Sequence, residues 1–228
     1  VGEASGVMSR ARHTGKVILD FRGQRVPALR LIAPRFRPDR TYLVTGAFGG
    51  FGQALARWMA REGARNLILA GRHGAETPAA RELVAETGAR AERLDVSDGE
   101  AVQDLLEEIR RGPFPLGGVF HAAMVLDDGL IASYEAGRLA RVMAPKAQGA
   151  LHLHRHSAGD PLDHFVLFSS VSQMIGNPGQ GSYCAANAYL DGLARHRRAK
   201  GLPGLSVAWG VLGDVGVAAR AEGLVAQL

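Results

Sequence analysis

Cysteine and lysine are scarce in this chain, and long apolar runs are missing. A single cysteine, Cys184, in 228 residues excludes an internal disulfide and fits a reducing compartment, so the expected location is cytoplasmic. No apolar run approaches the roughly 20 residues that a bilayer-spanning helix needs. The opening Val1-Gly2-Glu3-Ala4 does not read as a signal peptide either. No low-complexity segment and no internal repeat is visible. The excess of positive charge is small, +5, and the arginines are interleaved with glutamate, as in Arg61-Glu62 and Glu107-Glu108-Ile109-Arg110-Arg111. That pattern describes a solvated surface better than a phosphate-tracking stripe, so no nucleic-acid partner is expected. No metal site is expected.

What is present is the composition of one soluble globular domain, 46% hydrophobic and 21% charged, on a chain long enough to bury a core. Short, continuously apolar runs occur at Tyr42-Leu43-Val44, Leu67-Ile68-Leu69-Ala70, Gly118-Val119-Phe120, Phe165-Val166-Leu167-Phe168 and Ser206-Val207-Ala208-Trp209. Such runs read as strands buried on both faces. A weaker strand is expected from Ala91 to Val96. Helical patterns fill the gaps: Phe51 to Glu62, Ala79 to Thr87, Glu100 to Arg110, Arg138 to His156 and Tyr183 to Lys200. Pro145 lies inside the fourth and predicts a kink or a helix start there. The alternation predicts a doubly wound α/β fold with a parallel sheet, right-handed crossovers and helices on both faces.

Two edges depart from one complete domain. Residues 1–38 hold a candidate strand, Gly15-Lys16-Val17-Ile18-Leu19-Asp20, and then a basic, Pro-bearing connector that ends at Pro34-Arg35-Phe36-Arg37-Pro38. Residues 39–228 form the main domain. The chain stops soon after its sixth strand, where a sheet of this kind continues through a lid helix and a seventh strand. The expectation is a fragment cut at the lid.

The first chemical motif is Thr45-Gly46-Ala47-Phe48-Gly49-Gly50-Phe51-Gly52, after a strand and opening a helix. Gly46, Gly49 and Gly52 remove the Cβ atoms that would keep backbone N–H groups from a pyrophosphate, and in this context the run reads as a dinucleotide loop. Gly71-Arg72-His73 ends the second strand. An acid there would bond the ribose 2′-OH of NAD; Arg72 suits the 2′-phosphate of NADP(H), against the bland reading of a surface arginine. Asp95-Val96 follows the third strand and is placed to meet adenine. His121-Ala122-Ala123 follows the fourth, its small residues letting the chain pass a ribose or nicotinamide. His121 itself reads equally as a histidine satisfied inside the fold.

A carbonyl reduced by hydride needs a proton donor, a second donor on the oxygen and a charge that tunes the acid. Tyr183 is the candidate acid and Ser170 the second donor. Asn187 stands one helical turn after Tyr183, on the same side.

These residues resemble the short-chain dehydrogenase/reductases, most of which carry a lysine where this chain has Asn187. From about Arg40 to Gly216 the chain is similar to the ketoreductase domain of modular type I polyketide synthases, in which that lysine and asparagine have exchanged places. The resemblance implies the Rossmann fold of that superfamily. It also implies that Lys146, in Met143-Ala144-Pro145-Lys146-Ala147-Gln148-Gly149, lowers the Tyr183 pKa and holds the nicotinamide ribose. Lys146 is one of three lysines in the chain, with Lys16 and Lys200.

Leu126-Asp127-Asp128 resembles the Leu-Asp-Asp signature of B-type ketoreductases, and Ile175 stands where A-type domains carry tryptophan. The resemblance therefore implies a D-β-hydroxy product, with Asp128 and Leu126 in stereocontrol; two solvated carboxylates are the alternative. Gln180 and Pro178 are expected to border the substrate. Phe48 and Phe51 depart from the usual loop residues and are expected to change packing, not chemistry. Ala11-Arg12-His13-Thr14-Gly15-Lys16-Val17 resembles the closing segment of an enoylreductase domain, implying one upstream. The expected activity is NADPH-dependent reduction of a β-ketoacyl thioester on an acyl carrier protein, beside neighbouring synthase domains. A free-standing reductase of the same superfamily and a non-catalytic bracing module are the alternatives.

Overall fold

The computed structural model describes residues 36–210. The candidate strand at 15–20, the enoylreductase-like run at 11–17 and everything after Gly210 lie outside them. Six parallel strands make the sheet: β1 (Thr41–Thr45), β2 (Asn66–Gly71), β3 (Arg90–Arg93), β4 (Leu116–His121), β5 (His164–Ser170) and β6 (Leu205–Trp209), in spatial order β3-β2-β1-β4-β5-β6. The helices are α1 (Gly50–Arg61), α2 (Pro78–Thr87), α3 (Gly99–Arg111), α4 (Ala136–Met143), α5 (Gly149–His156), the single turn α6 (Ser172–Ile175) and the long α7 (Gly181–Ala199). The strand order reverses between β1 and β4. In open α/β sheets ligands collect beyond the carboxyl ends of the strands at that switch point.

Side chains alternate across each strand, so every core strand feeds two cores. Leu43 packs with Ile68, Val119, Leu106, Leu153 and Leu190 on one face. Tyr42 and Val44 pack with Leu55, Met59, Leu83 and Phe120 on the other. Phe36, from the stretch read as connector, is buried against Tyr42 and Trp58 with edge-on rings 5.1 and 5.5 Å away.

Two local departures from the expected elements have clear causes. The third strand ends at Arg93, earlier than expected. Asp95 Oδ1 accepts from Ser97 N at 3.0 Å, and this side-chain turn takes the chain off the sheet edge. Pro145 neither breaks the helix nor starts one. Ala144–Gln148 forms a π-helical segment that joins α4 to α5, and the Gly149 N–H bonds to the Ala144 carbonyl. Pro145 thus sits at the start of a wider-register segment inside a helix that continues past it.

Candidate active site

The glycine loop leaves β1 at the switch point. Gly46 has φ of +70°, and a Cβ there would lie 2.5 Å from Ala123 N and 2.6 Å from Ala122 C, so β1 and β4 exit in backbone contact. Ala122 N donates to Thr45 O at 3.0 Å. Helix α2 is capped by Thr77 and α3 by Asp98, but α1 has Gly49 at its N-cap and no side chain capping it. Its first N–H groups are thus open to an anion. Phe48 lies over Gly71, and Phe51 packs edge-on against Phe168 at 4.9 Å and Trp209 at 5.4 Å. Arg72 is exposed at the end of β2. Asp95, bonded to Ser97 and near the Arg72 charge, is held below the usual carboxylate range. Val96 beneath it is buried, its methyls against Gly149.

His121 lies inside, not in the cleft. Its side chain is 0% exposed, with Nδ1 2.7 Å from Thr45 Oγ1 and Nε2 2.9 Å from the Lys146 carbonyl oxygen. A carbonyl only accepts, so Nε2 carries the hydrogen and the Thr45 hydroxyl donates to Nδ1. Burial pushes the imidazole down to about 4, which keeps it neutral. Of the two readings its position allowed, the satisfied interior histidine describes the side chain; what it holds is the backbone of Lys146.

Lys146 enters from the π segment. It is 3% exposed, and its Nζ donates to the Phe168 carbonyl at 2.9 Å and stands 5.2 Å from the centre of the Tyr183 ring. Burial lowers its pKa to about 8. Ser170, at the end of β5, accepts from Ser172 N at 3.2 Å and from Ser172 Oγ at 3.0 Å. Both bonds fall on its oxygen, so its own proton is free for another acceptor.

Burial raises the pKa of Tyr183, against the lowering expected from Lys146, and the nearby Asn187 and Ser170 side chains oppose the rise in that order. The phenol therefore stays protonated at neutral pH. Asn187 is fully buried; its Nδ2 donates to the Tyr183 carbonyl at 2.8 Å. Its Oδ1 has no partner among the described residues. An open buried acceptor costs about 1–3 kcal/mol, an expense typical of functional sites.

The two aspartates after Leu126 separate. Asp127 accepts from Arg138 Nε at 3.0 Å and Nη2 at 2.5 Å, and Arg141 Nη1 is 3.1 Å from its other oxygen. The Arg138 bond holds its carboxyl below the usual range. Asp128 accepts instead from Gln180 Nε2 at 2.9 Å, and its charge acts on Tyr183. Ile175, at the end of α6, is 81% exposed. Sequence reasoning passed over Ser172 and Arg138. Ser172 was findable as a hydroxyl two residues after Ser170; Arg138 carried no signal in an arginine-rich chain.

The family model for the KR domain matches residues 40–214. The chain belongs to the KR domain family. It is 41% identical over 215 residues to the polyketide synthase GfsB of Streptomyces halstedii, covering 92% of this chain and 4% of that protein. To a phenolphthiocerol synthesis polyketide synthase type I, Pks15/1, of Mycobacterium marinum it is 43% identical over 210 residues, or 90% of this chain and 10% of the relative. Among solved structures it is similar to A-type ketoreductases from a modular polyketide synthase, with a TM-score of 0.78 at 43% identity, spanning 85% of this chain and 42% of that one. The first ketoreductase of the tylosin synthase gives a TM-score of 0.76 at 41% identity, over 86% and 43%. The chain thus spans under half of these ketoreductases and a small share of the synthases. Its sheet and helices are those of the Rossmann-type ketoreductase fold. Among the described residues of this KR domain no helix is long and apolar enough to cross a membrane, and no cluster of ligating side chains would hold a metal ion.

Proposed function

We propose that the domain reduces a β-ketoacyl thioester, carried by an acyl carrier protein within a polyketide synthase, to the β-hydroxy product with NADPH. The observation that carries the reading is the convergence on Tyr183: the Lys146 ammonium stands 5.2 Å from its ring, Asn187 bonds its carbonyl at 2.8 Å, and the Asn187 and Ser170 side chains both act on its phenol. The cradle suits NADPH. Gly46 admits no Cβ, α1 presents uncapped N–H groups, and Arg72 supplies a cation at the end of β2, where a 2′-phosphate is read. Lys146 would hold the ribose hydroxyls, and Ala122 and Ala123 leave room beside it. When bound, the cofactor supplies a hydride to the carbonyl carbon.

The protein does the rest. Ser170, its oxygen already holding two donors, turns its hydrogen to the ketone oxygen. Tyr183, kept protonated by burial, gives its proton to that oxygen as negative charge develops there. The neighbouring Lys146 ammonium stabilises the phenolate left behind. Asn187 anchors the helix turn through the Tyr183 carbonyl and leaves Oδ1 open to a donor in the site.

Asp128 and Gln180 form the substrate side, and their pairing supports a B-type outcome, the D-hydroxy product. The A-type character of the similar modular-synthase ketoreductases belongs to those proteins. The test is NADPH consumption with a simple β-ketothioester, followed by chiral analysis. Turnover giving the D-alcohol is expected, and Tyr183→Phe should remove it while saturable NADPH fluorescence persists. Undiminished turnover in that variant refutes the assignment.

A further inference from the structure

The loop after β4 is tied to the start of α7 by a network that the reaction itself does not require. Arg138, on the first turn of α4, bonds both to the Asp127 carboxylate and to the Asp128 carbonyl, the latter at 2.7 Å. The same guanidinium lies 5.2 Å from the centre of the Tyr134 ring. Tyr134 OH in turn meets Ser182 Oγ at 3.1 Å and accepts from Ser182 N at 3.4 Å, one residue before Tyr183. A second tie runs beside it: Gly129 N donates to Gly179 O at 2.7 Å, and Asp128 is bonded to Gln180, which Asn177 holds at 2.8 Å. Gly129 is where the clamp needs space, since a Cβ there would lie 2.7 Å from Arg138 Nη1.

We propose that Arg138, with Tyr134, is a positioning residue that locks the Asp128 loop to the helix bearing Tyr183 and thereby sets which face of the ketone meets the proton donor. The inference rests on the ketoreductase reading above. Arg138 touches no reacting group. Its planar fork serves a carboxylate and a carbonyl together while its face covers an aromatic ring, a combination a lysine does not reproduce. Asp127 is thereby assigned a structural partner, which leaves Asp128 alone to face Gln180 and the substrate.

The experiment compares the 228-residue chain with Arg138→Met, Arg138→Lys and Tyr134→Phe, after thermal melts establish that each folds. Amide exchange is read first. In Arg138→Met the Gly129 and Ser182 amides should exchange at least about tenfold faster, with those of β1 and β4 unchanged. With the β-ketothioester, the ratio of the two alcohol enantiomers should fall about fivefold or more and KM should rise, while NADPH binding stays within about twofold. Arg138→Lys should recover only a minor part of the enantiomer ratio. Tyr134→Phe, losing one hydroxyl, should release Ser182 and leave Gly129 protected. If wild type turns nothing over, the reductase reading fails and the exchange result still decides the clamp. Unchanged exchange at both amides in Arg138→Met, or an unchanged enantiomer ratio in an active variant, overturns the proposal.

Discussion

Replacing His121 with leucine tests the assignment of a neutral, proton-bridging histidine inside the sheet. Leucine is close in volume to histidine and accepts neither bond, so Thr45 Oγ1 is left buried without its 2.7 Å partner and the Lys146 carbonyl loses its 2.9 Å one. The Gly149 N–H still reaches that carbonyl, so the main penalty is the hydroxyl's, about 1–3 kcal/mol at neutral pH. The wild-type advantage is itself pH-dependent. An imidazole at about 4 when folded and 6.5 when unfolded takes up its proton more readily in the unfolded chain. Its contribution is therefore complete above about pH 6.5, declines as pH falls, and levels off below about 4. Between about pH 7.5 and pH 5 the loss works out at about 2 kcal/mol. His154 and His164 are also pushed down by burial, but they are present in both proteins and cancel in the comparison. Urea unfolding followed by tryptophan fluorescence should show His121→Leu clearly less stable near neutrality and nearly equal to wild type at about pH 5. Parallel stability curves for the two proteins across that range would refute a neutral His121.

Two further outcomes follow from the cofactor cradle. Gly46→Ala places a Cβ against the immobile backbone of residues 122 and 123 at a φ of +70°, so it should cost about 2 kcal/mol or more in urea unfolding and abolish saturable NADPH fluorescence. Arg72→Glu exchanges the cation at the end of β2 for a ribose acceptor. It should reverse the NADPH over NADH preference in kcat/KM by about tenfold or more, with no change in melting temperature because Arg72 is exposed.

Where local pattern carries the information, sequence and structure agree closely. Five of the six strands and all five expected helices lie where apolar runs and helical periodicity put them, because a strand buried on both faces and a half-buried helix each leave a signature within a few residues. The exceptions are instructive. The edge strand Arg90–Arg93 carries charge and stops where Asp95 turns the chain, a side-chain event invisible to periodicity. Pro145 was legible as a disturbance, but the π register that accommodates it depends on how α4 and α5 pack as one continuous helix.

By itself the sequence determined the sheet, the glycine loop and the residue types able to transfer a proton, since these depend on neighbours near in the chain. Only the tertiary structure decided their partnerships. His121 lies on the adjacent strand, 76 positions after Thr45, and the hydrogen bond between them seals the imidazole away from the cleft. The Lys146 ammonium reaches the Tyr183 ring because the π segment packs against α7 and its Nζ bonds the Phe168 carbonyl of β5. Asp127 and Asp128, adjacent and alike in sequence, part because one finds Arg138 and the other Gln180. Hydrogen bonds and charges act over a few ångströms in space, so the chain distances of 11 to 76 residues that separate these partners carry no signal until the sheet has closed.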